Sequence, residues 1–314
     1  MAGYQSETLR VDTGVGEHMA SAVRVMAGHL AAEAAYRIIH RVLGARGIEH
    51  LVLKGPHLGA MVYDAVWERG YGDLDMLVRP GQFQDALLAL LDNGFSLKVG
   101  PVGREATIAY FYNRGLVSPL GWLVELHRAF CAYDLYPVDY EALFSRAVPF
   151  RFGQVAALGL APEDLLLHLV IHAAKSQFRI LEPKHVRDVA LLVARQPMHW
   201  ETFLTRAREA RCRTAAWVLL SAAVKIHDAQ VPDEVLRRLR PSWVWRWWLG
   251  RWLTMEWFPL FRRPGLPLWL GRLLVAPAVV DGCGRGLDVV LAGACGLPCC
   301  ACALAICPSP GGSV

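Results

Sequence analysis

Apolar positions in the first half of the chain alternate between short runs typical of strands and the three- or four-residue spacing typical of helices. This pattern predicts a long helix at 18–43, followed by a strand at 51–53, a helix at 57–67, a strand at 72–78 and a helix at 80–92. It also predicts strands at 95–99, 107–112 and 121–127, and a hairpin turning at Gly153 within 148–158. The first half therefore mixes strands with helices.

The pattern changes at Pro162, after which the apolar spacing is helical. Pro162 is followed by two acids, an order that favours the first turn of a helix. Helices are predicted at 162–175, 184–194, 200–210, 214–227 and 233–239. The chain is therefore predicted to be an α+β protein in which a sheet with flanking helices precedes an all-helical domain.

The composition agrees with a folded protein of two domains. Of the 314 residues, 54% are hydrophobic and 19% are charged, which is enough apolar material for a sizeable core. The net charge of +5 is not concentrated in a basic stripe, so nucleic acid is allowed as a partner but not implied. The polar segment 1–17 lacks the apolar run of a secretory signal, which predicts a cytoplasmic protein.

Two carboxylates stand out within the predicted strand 72–78. Asp73 and Asp75 are one residue apart, so on a strand both side chains point to the same face. Like charges this close repel each other, and burying them without partners is costly. A divalent cation between them removes that cost, and the spacing therefore predicts a metal site for phosphoryl transfer. The alternative is a turn, or an edge strand that the two acids keep soluble.

Other residues have the chemistry to join such a site. Lys54 and Gly55 stand between a predicted strand and a predicted helix. Gly55 allows a tight turn where the backbone approaches a phosphate, and Lys54 supplies a mobile positive charge. Glu125 interrupts a later apolar strand and is a candidate third metal-binding carboxylate. His127 shares its face, either as an accessory to the site or as a hydrogen-bonded structural histidine.

These residues resemble the nucleotidyltransferase superfamily, whose members have a strand, a glycine-centred turn, a helix, an Asp-x-Asp strand and a later acidic strand. The resemblance is closer to an uncharacterised bacterial branch of that superfamily, and it covers roughly residues 20 to 240. The matching residues are Leu53-Lys54-Gly55, Leu58, Tyr63, Arg69, Asp73-Leu74-Asp75-Met76-Leu77-Val78 and Glu125-Leu126-His127.

The resemblance implies a nucleotidyltransferase-like mixed sheet and a metal-dependent nucleotidyltransferase. Such an enzyme transfers a nucleoside monophosphate from a nucleoside triphosphate, with ATP as one candidate, to an acceptor hydroxyl or phosphate, and releases pyrophosphate. The acceptor stays open between a small molecule, a peptide or protein, and RNA. Mg²⁺ or Mn²⁺ is the implied cofactor. The residues implied as catalytic and metal-binding are Asp73, Asp75 and Glu125, and those implied as nucleotide-binding are Lys54, Gly55 and Arg69.

One departure from the superfamily supports a rival interpretation. Most active members follow the turn glycine with Gly or Ser, whereas this chain has Pro56, which offers neither a hydroxyl nor an N–H to a phosphate. Phosphate binding would then rest on Lys54. Arg69 would reach the triphosphate from the stretch between Gly55 and Asp73, which is longer than is usual in the superfamily. Lys54 also fits a solvated strand end, and Arg69 an ion pair with a nearby acid. The rival is a catalytically inactive nucleotide-binding protein that keeps the fold.

Histidines and acids recur in the predicted helical domain. Asp164, His168 and His172 share one helix face through their four-residue spacing, and His185 and Asp188 lie on the next helix. Zinc binding is one interpretation, although the first histidine is not followed by the Glu of a metalloprotease helix. The others are a buried polar network between two helices and a role in shaping the acceptor site. His168, His172 and Asp188 are therefore accessory candidates.

A segment rich in Trp and Arg follows at 241–280 and is predicted to be a helical extension. Three interpretations stay open: membrane contact through 241–272, packing of the indoles onto the helical domain, and binding of single-stranded nucleic acid. The first of these makes a membrane-peripheral assembly protein a further alternative. The sequence does not indicate an oligomeric state.

The predicted organisation is a polar segment at 1–17, a catalytic domain at 18–158, a helical domain at 159–240, the extension at 241–280, and a poorly ordered tail rich in Cys, Gly and Pro at 281–314.

Overall fold

Strands from the first half of the chain form one mixed sheet of seven strands. The computed structural model describes residues 13–98, 112–131, 135–176, 183–252 and 281. The strands are β1 (His50–Val52), β2 (Leu74–Val78), β3 (Ser96–Leu97), β4 (Asn113–Val117), β5 (Leu123–His127), β6 (Val148–Phe152) and β7 (Val155–Gly159). The helices are α1 (Thr13–Gly44), α2 (Pro56–Val62), α3 (Phe83–Asp92), α4 (Tyr140–Ser145), α5 (Pro162–Lys175), α6 (Pro183–Arg195), α7 (Trp200–Glu209), α8 (Arg213–His227), α9 (Asp233–Leu239) and α10 (Trp243–Trp252). Short 3₁₀ segments lie at Val66–Glu68 and Pro80–Gln82.

The chain divides into two compact units. The first contains the described residues up to 98, Asn113–His127 and Val148–Gly159, and it holds the whole sheet. The second contains the other described residues and is helical from α4 to α10. The predicted α+β class is therefore confirmed. The domain boundaries predicted from the sequence stay predictions.

The order of strands in the sheet is β3-β4-β5-β2-β1-β7-β6. β2 runs parallel to β5 and β1 runs parallel to β7, whereas the other neighbouring pairs are antiparallel. The parallel register sets Asp75 directly beside Glu125. The two acids come from distant parts of the chain, and the pairing of β2 with β5 brings them together.

One face of this sheet packs on α1 and α3. Leu74, Met76 and Val78 of β2 join the same buried cluster as Tyr36 of α1 and Leu90 of α3. Because side chains alternate along a strand, Asp75 points to the opposite face. The buried face fixes the register of β2, and the register in turn fixes which face carries the acids.

Several observed elements differ from those predicted. The strand predicted at 72–78 begins only at Leu74, so Asp73 lies in the bend before it. The helix predicted at 57–67 ends at Val62, because Tyr63 has an extended backbone, and a 3₁₀ segment follows. β4 was not predicted, since it begins Asn113-Arg114-Gly115, residue types with weak strand preference, and pairing with β3 and β5 overrides that preference. The strand predicted at 107–112 lies almost entirely outside the described residues.

In the second unit, Asp164 joins helices through buried ion pairs. Its carboxylate lies 2.9 Å from Nε of Arg146, which caps α4, and 2.9 Å from Nη1 of Arg206 on α7. Asp164 is fully buried, so these partners offset the cost of removing its charge from water. These two partners lie at the end of α4 and on α7, whereas the polar network was predicted between α5 and α6, so that interpretation stays a prediction.

Among the described helices, none is both long enough and apolar enough to cross a membrane.

Candidate active site

The turn after β1 brings Lys54 beside the Asp-x-Asp strand. The backbone N–H of Leu53 donates to the carbonyl of Asp75 at 3.0 Å and so extends the pairing of β1 with β2. Gly55 then caps the N-terminus of α2 with φ of 63° and ψ of −110°, which residues with a Cβ rarely adopt. Pro56 occupies the first helical position, where its missing N–H costs little. The tight turn predicted at Gly55 is present.

Lys54 lies between the two carboxylates of the Asp-x-Asp motif. Its Nζ is 2.5 Å from Oδ2 of Asp75 and 3.7 Å from Oδ1 of Asp73. The Lys54 side chain is 14% exposed and that of Asp75 is 4% exposed. The ammonium group therefore supplies the positive charge that two neighbouring acids need.

Glu125 and His127 complete the cluster from β5. Nε2 of His127 lies 3.2 Å from Oδ1 of Asp75 and 3.4 Å from Oε2 of Glu125. The His127 side chain is 1% exposed, whereas that of Glu125 is 37% exposed. The amide of Asn113, on β4, donates to Oε2 of Glu125 at 3.0 Å. Glu125 is thus held by two side chains while its own side chain stays partly exposed.

The environment moves the pKa values of the two aspartates in opposite directions. Burial, and next the charge of Asp75, raise the pKa of Asp73. Burial works in the same direction on Asp75, but the ammonium of Lys54 and the hydrogen bond from His127 outweigh it and hold the pKa of Asp75 well below its usual range. Asp75 is therefore the more strongly ionised of the pair.

The neighbouring groups respond to the same charges. The hydrogen bond from His127 lowers the pKa of Glu125 against the opposing effect of burial. Burial alone would lower the pKa of Lys54, but the carboxylates of Asp75 and Asp73 raise it above its ordinary value. The cluster consequently contains ionised carboxylates and a charged lysine at neutral pH.

Three of these side chains place donor atoms close enough together to share one metal ion. One donor atom from each of Asp75, Glu125 and His127 lies within 4.8 Å of the others. Among the residues that the structure describes, Asp75, Glu125 and His127 form such a group of three donors. Asp73 is not part of that group. Carboxylate oxygens and an imidazole nitrogen are ordinary ligands of divalent cations. The donors present therefore fit a divalent ion.

Arg69 is buried in the same unit. It lies near enough to Lys54 for its positive charge to oppose, in small part, the rise in the pKa of that lysine. The structure therefore brings together the motif residues of the first unit: Lys54, Gly55, Arg69, Asp73, Asp75, Glu125 and His127. Their catalytic, metal-binding and nucleotide-binding roles stay predictions.

The histidines among the accessory candidates of the second unit lie in a row of aromatic rings. The ring of His168 meets that of Phe130 at 4.6 Å, and His172 continues the row toward His185 with ring centroids 6.0 Å and 6.2 Å apart. Asp188 is fully buried on α6. These residues do not form a three-ligand group among the described side chains.

Asn113 is the site residue that sequence reasoning did not find. It faces His127 across the β4–β5 pair, and its amide reaches Glu125 diagonally. Gly115 lies opposite Glu125 in the same pair, and the stem of Lys98 occupies the space where its side chain would be. Finding these residues requires the strand pairing, because the local sequence gave no strand signal here.

Residues 5–228 match the model of a family described as uncharacterised nucleotidyltransferase. The match spans more than half of the chain, and the chain belongs to this family. The general kind of reaction is therefore nucleotidyl transfer.

Individual proteins show only weak similarity to the chain. None of the curated proteins matches the chain at a significant level. The solution structure of the antibiotic-resistance factor ANT(2'')-Ia is similar with a TM-score of 0.38 and 12% sequence identity, over 63% of this chain and 96% of that one.

Proposed function

We propose that the chain is a metal-dependent nucleotidyltransferase that transfers a nucleoside monophosphate from a nucleoside triphosphate to an acceptor hydroxyl or phosphate. The acceptor oxygen attacks the α-phosphorus, the bond from that phosphorus to the bridging oxygen breaks, and pyrophosphate leaves. The observation that carries the proposal is the pairing of Asp75 with Glu125 on adjacent parallel strands, with Lys54 in contact with Asp75. Asp73, in the bend that precedes β2, is the second acid of the motif.

Asp75, Glu125 and His127 would hold a divalent cation, Mg²⁺ or Mn²⁺, with Asp73 beside them. A bound cation would neutralise phosphate charge and lower the pKa of an acceptor hydroxyl. Before any cation is present, Lys54 and His127 hold Asp75 in its ionised form, and His127 does the same for Glu125. The two carboxylates are thus already deprotonated at neutral pH, which favours metal binding.

Lys54 and Arg69 are the cations that would meet the phosphates. Pro56 lacks an N–H, so the turn after β1 contributes mainly the side chain of Lys54. When the triphosphate binds, the ammonium group can exchange its contact with Asp75 for one with a phosphate oxygen. Lys54 and the buried charge of Arg69 would then stabilise the negative charge that develops on the departing pyrophosphate.

Glu125 would orient the acceptor. Its partly exposed carboxylate is fixed by Asn113 and His127, so it presents an oxygen toward solvent in a defined position. An acceptor hydroxyl that donates to this oxygen would be aligned for attack. The chemical class of the acceptor stays open between small molecule, peptide or protein, and RNA.

Binding of a nucleotide tests this function without knowledge of the acceptor. We expect calorimetry to detect binding of an α,β-methylene nucleoside triphosphate only when Mg²⁺ or Mn²⁺ is present. A second titration, after the cation has been removed by chelation, is the control. Pyrophosphate release from the natural triphosphate, screened with pooled candidate acceptors, then measures turnover. Absence of any cation-dependent nucleotide binding would contradict the proposal. Binding without turnover would favour the catalytically inactive alternative, for which Pro56 is the motivating residue.

A second candidate function is peripheral contact with a membrane through 241–272. The side chains of Trp243 and Trp247 lie one helical turn apart on α10 and are 72% and 62% exposed. Arg246 and Arg251 lie in the same segment. Exposed indoles with nearby guanidinium groups favour the interface of an anionic bilayer.

Flotation of the full chain with phosphatidylserine-containing vesicles tests that contact. We expect the Trp243→Ser/Trp247→Ser variant to float less than the wild type, because both exposed indoles are lost while the arginines remain. Replacement of the exposed Trp67, which belongs to the first unit, is the matched control. Equal flotation of the three proteins would contradict membrane contact through α10.

A further inference from the structure

His127 occupies an unusual position for a histidine beside two acids. It is the last residue of β5, it is almost fully buried, and the same ring nitrogen contacts both Asp75 and Glu125. One imidazole N–H carries a single proton and can point well at only one acceptor. The position therefore calls for a partner that both acids and the nitrogen can share.

The distances suit a shared metal ion. Neighbouring ligands of an octahedral ion with bonds of about 2.1 Å lie about 3 Å apart. Nε2 of His127 is 3.2 Å from Oδ1 of Asp75 and 3.4 Å from Oε2 of Glu125, which is close to that spacing. Small movements of the two carboxylates would be enough for all three atoms to bind the same ion.

From this geometry we infer that His127 is a direct ligand of the catalytic cation through Nε2, with the ring proton moving from Nε2 to Nδ1 or to solvent when the cation binds. We also infer that this nitrogen ligand makes the site prefer Mn²⁺ to Mg²⁺. The inference rests on the proposed function and specifies the metal that serves it. Mg²⁺ is a hard ion that takes oxygen ligands and gives up its waters reluctantly. Mn²⁺ shares the preference of Mg²⁺ for carboxylate oxygens. As a transition-metal ion, however, it accepts an imidazole nitrogen more readily than Mg²⁺ does. Two carboxylates with one buried imidazole thus favour Mn²⁺.

Pulsed electron paramagnetic resonance of bound Mn²⁺ reads this ligand directly. The full chain is prepared in unlabelled form and with ¹⁵N-labelled histidine, and each is measured with Mn²⁺ alone and with Mn²⁺ plus an α,β-methylene nucleoside triphosphate. We expect a nitrogen modulation that changes from the ¹⁴N to the ¹⁵N pattern on labelling. The label separates the imidazole from nitrogens of the nucleotide base.

Variants assign the nitrogen and test the preference. In His127→Gln the histidine signal should disappear, and Mn²⁺ affinity should fall by about 10- to 100-fold. Mutation of residues that only hydrogen-bond to metal ligands already lowers metal affinity by this much. Mg²⁺ affinity should change less, so the ratio of the two affinities should fall. His227→Gln, on the exposed end of α8, is the control and should retain both the signal and the ratio.

The labelled wild type needs no substitution, so misfolding of His127→Gln would leave the test intact. Bound Mn²⁺ without a histidine nitrogen signal would overturn the inference and leave His127 as a hydrogen-bond donor to the two acids. In that case cation-dependent nucleotide binding would still support the proposed function. A protein that binds neither Mn²⁺ nor the nucleotide in any of these measurements would overturn both.

Discussion

Replacing Asp75 with Asn is expected to remove cation-dependent nucleotide binding and to lower pyrophosphate release by about 10²- to 10³-fold. Asp75 is the carboxylate through which the cluster is connected, since it contacts both Lys54 and His127 and lies beside Glu125. Asn has nearly the same shape but no charge, so the variant removes an anionic ligand while the strand is kept. Calorimetry with Mn²⁺ and nucleotide, together with a pyrophosphate assay, measures the effect.

The same substitution is expected to lower the free energy of unfolding at pH 7 by about 2 kcal/mol. Breaking a fully buried ion pair costs about 3 to 5 kcal/mol, but here the loss also relieves repulsion from Asp73 and Glu125. The folded-state pKa of Asp75 is depressed, so its contribution is fully present above the unfolded value of about 4 and is lost as the pH falls below it. Urea denaturation at pH 7 and at pH 3 should therefore show a difference between wild type and variant that shrinks in acid.

Asp85→Asn provides the matched control for this variant. Asp85 is an exposed acid in the first turn of α3, on the side of β2 away from the cluster. Its replacement should leave nucleotide binding and turnover unchanged. If Asp75→Asn and Asp85→Asn behaved alike, Asp75 would have no special place in the site.

Replacing Lys54 with Met is expected to separate metal binding from turnover. Without nucleotide, the ammonium group of Lys54 contacts the acids that would bind the cation and repels that cation. Unit charges about 4 Å apart near a protein surface interact by about 1 to 4 kcal/mol, and 1.4 kcal/mol corresponds to a tenfold change in affinity. Nucleotide-free Lys54→Met should therefore bind Mn²⁺ about tenfold more tightly than the wild type.

Turnover of Lys54→Met should fall by about 10²-fold, because no other side chain of the turn after β1 offers a positive charge to the departing phosphates. Lys225→Met, an exposed lysine on α8, is the control and should change neither quantity. Electron paramagnetic resonance titration of Mn²⁺ gives the affinity, and the pyrophosphate assay gives turnover. Weaker Mn²⁺ binding in Lys54→Met would show that the lysine supports the cation site and does not compete with the ion.

Much of the local structure around the site could be predicted from the sequence. The apolar run that surrounds Asp73 and Asp75 predicts a strand at 72–78, and the structure has a strand from Leu74 to Val78, with Asp75 in it and Asp73 in the bend just before it. Such a pattern is readable because strand side chains alternate with a period of two. The later helices were predicted for a similar reason, since their apolar residues recur at helical spacing.

The end of α2 and the presence of β4 were not readable in this way. Apolar spacing continued past Val62, but the backbone of Tyr63 is extended and the helix ends there. β4 consists partly of weak strand formers, and it exists because two neighbouring strands provide hydrogen-bond partners. Propensity is a weak guide wherever tertiary pairing supplies most of the stabilisation.

The sequence by itself determined the chemistry that the site has to offer: two acids one residue apart, a lysine and a glycine at a turn, and a third acid with a histidine on a later strand. Only the tertiary structure decided which of these groups meet. The parallel pairing of β2 with β5 sets Glu125 beside Asp75, brings His127 into contact with both acids, and lets Asn113 hold Glu125 from β4. Contacts between residues some 50 positions apart depend on strand order and register, which the burial of a whole sheet face fixes and no local pattern encodes.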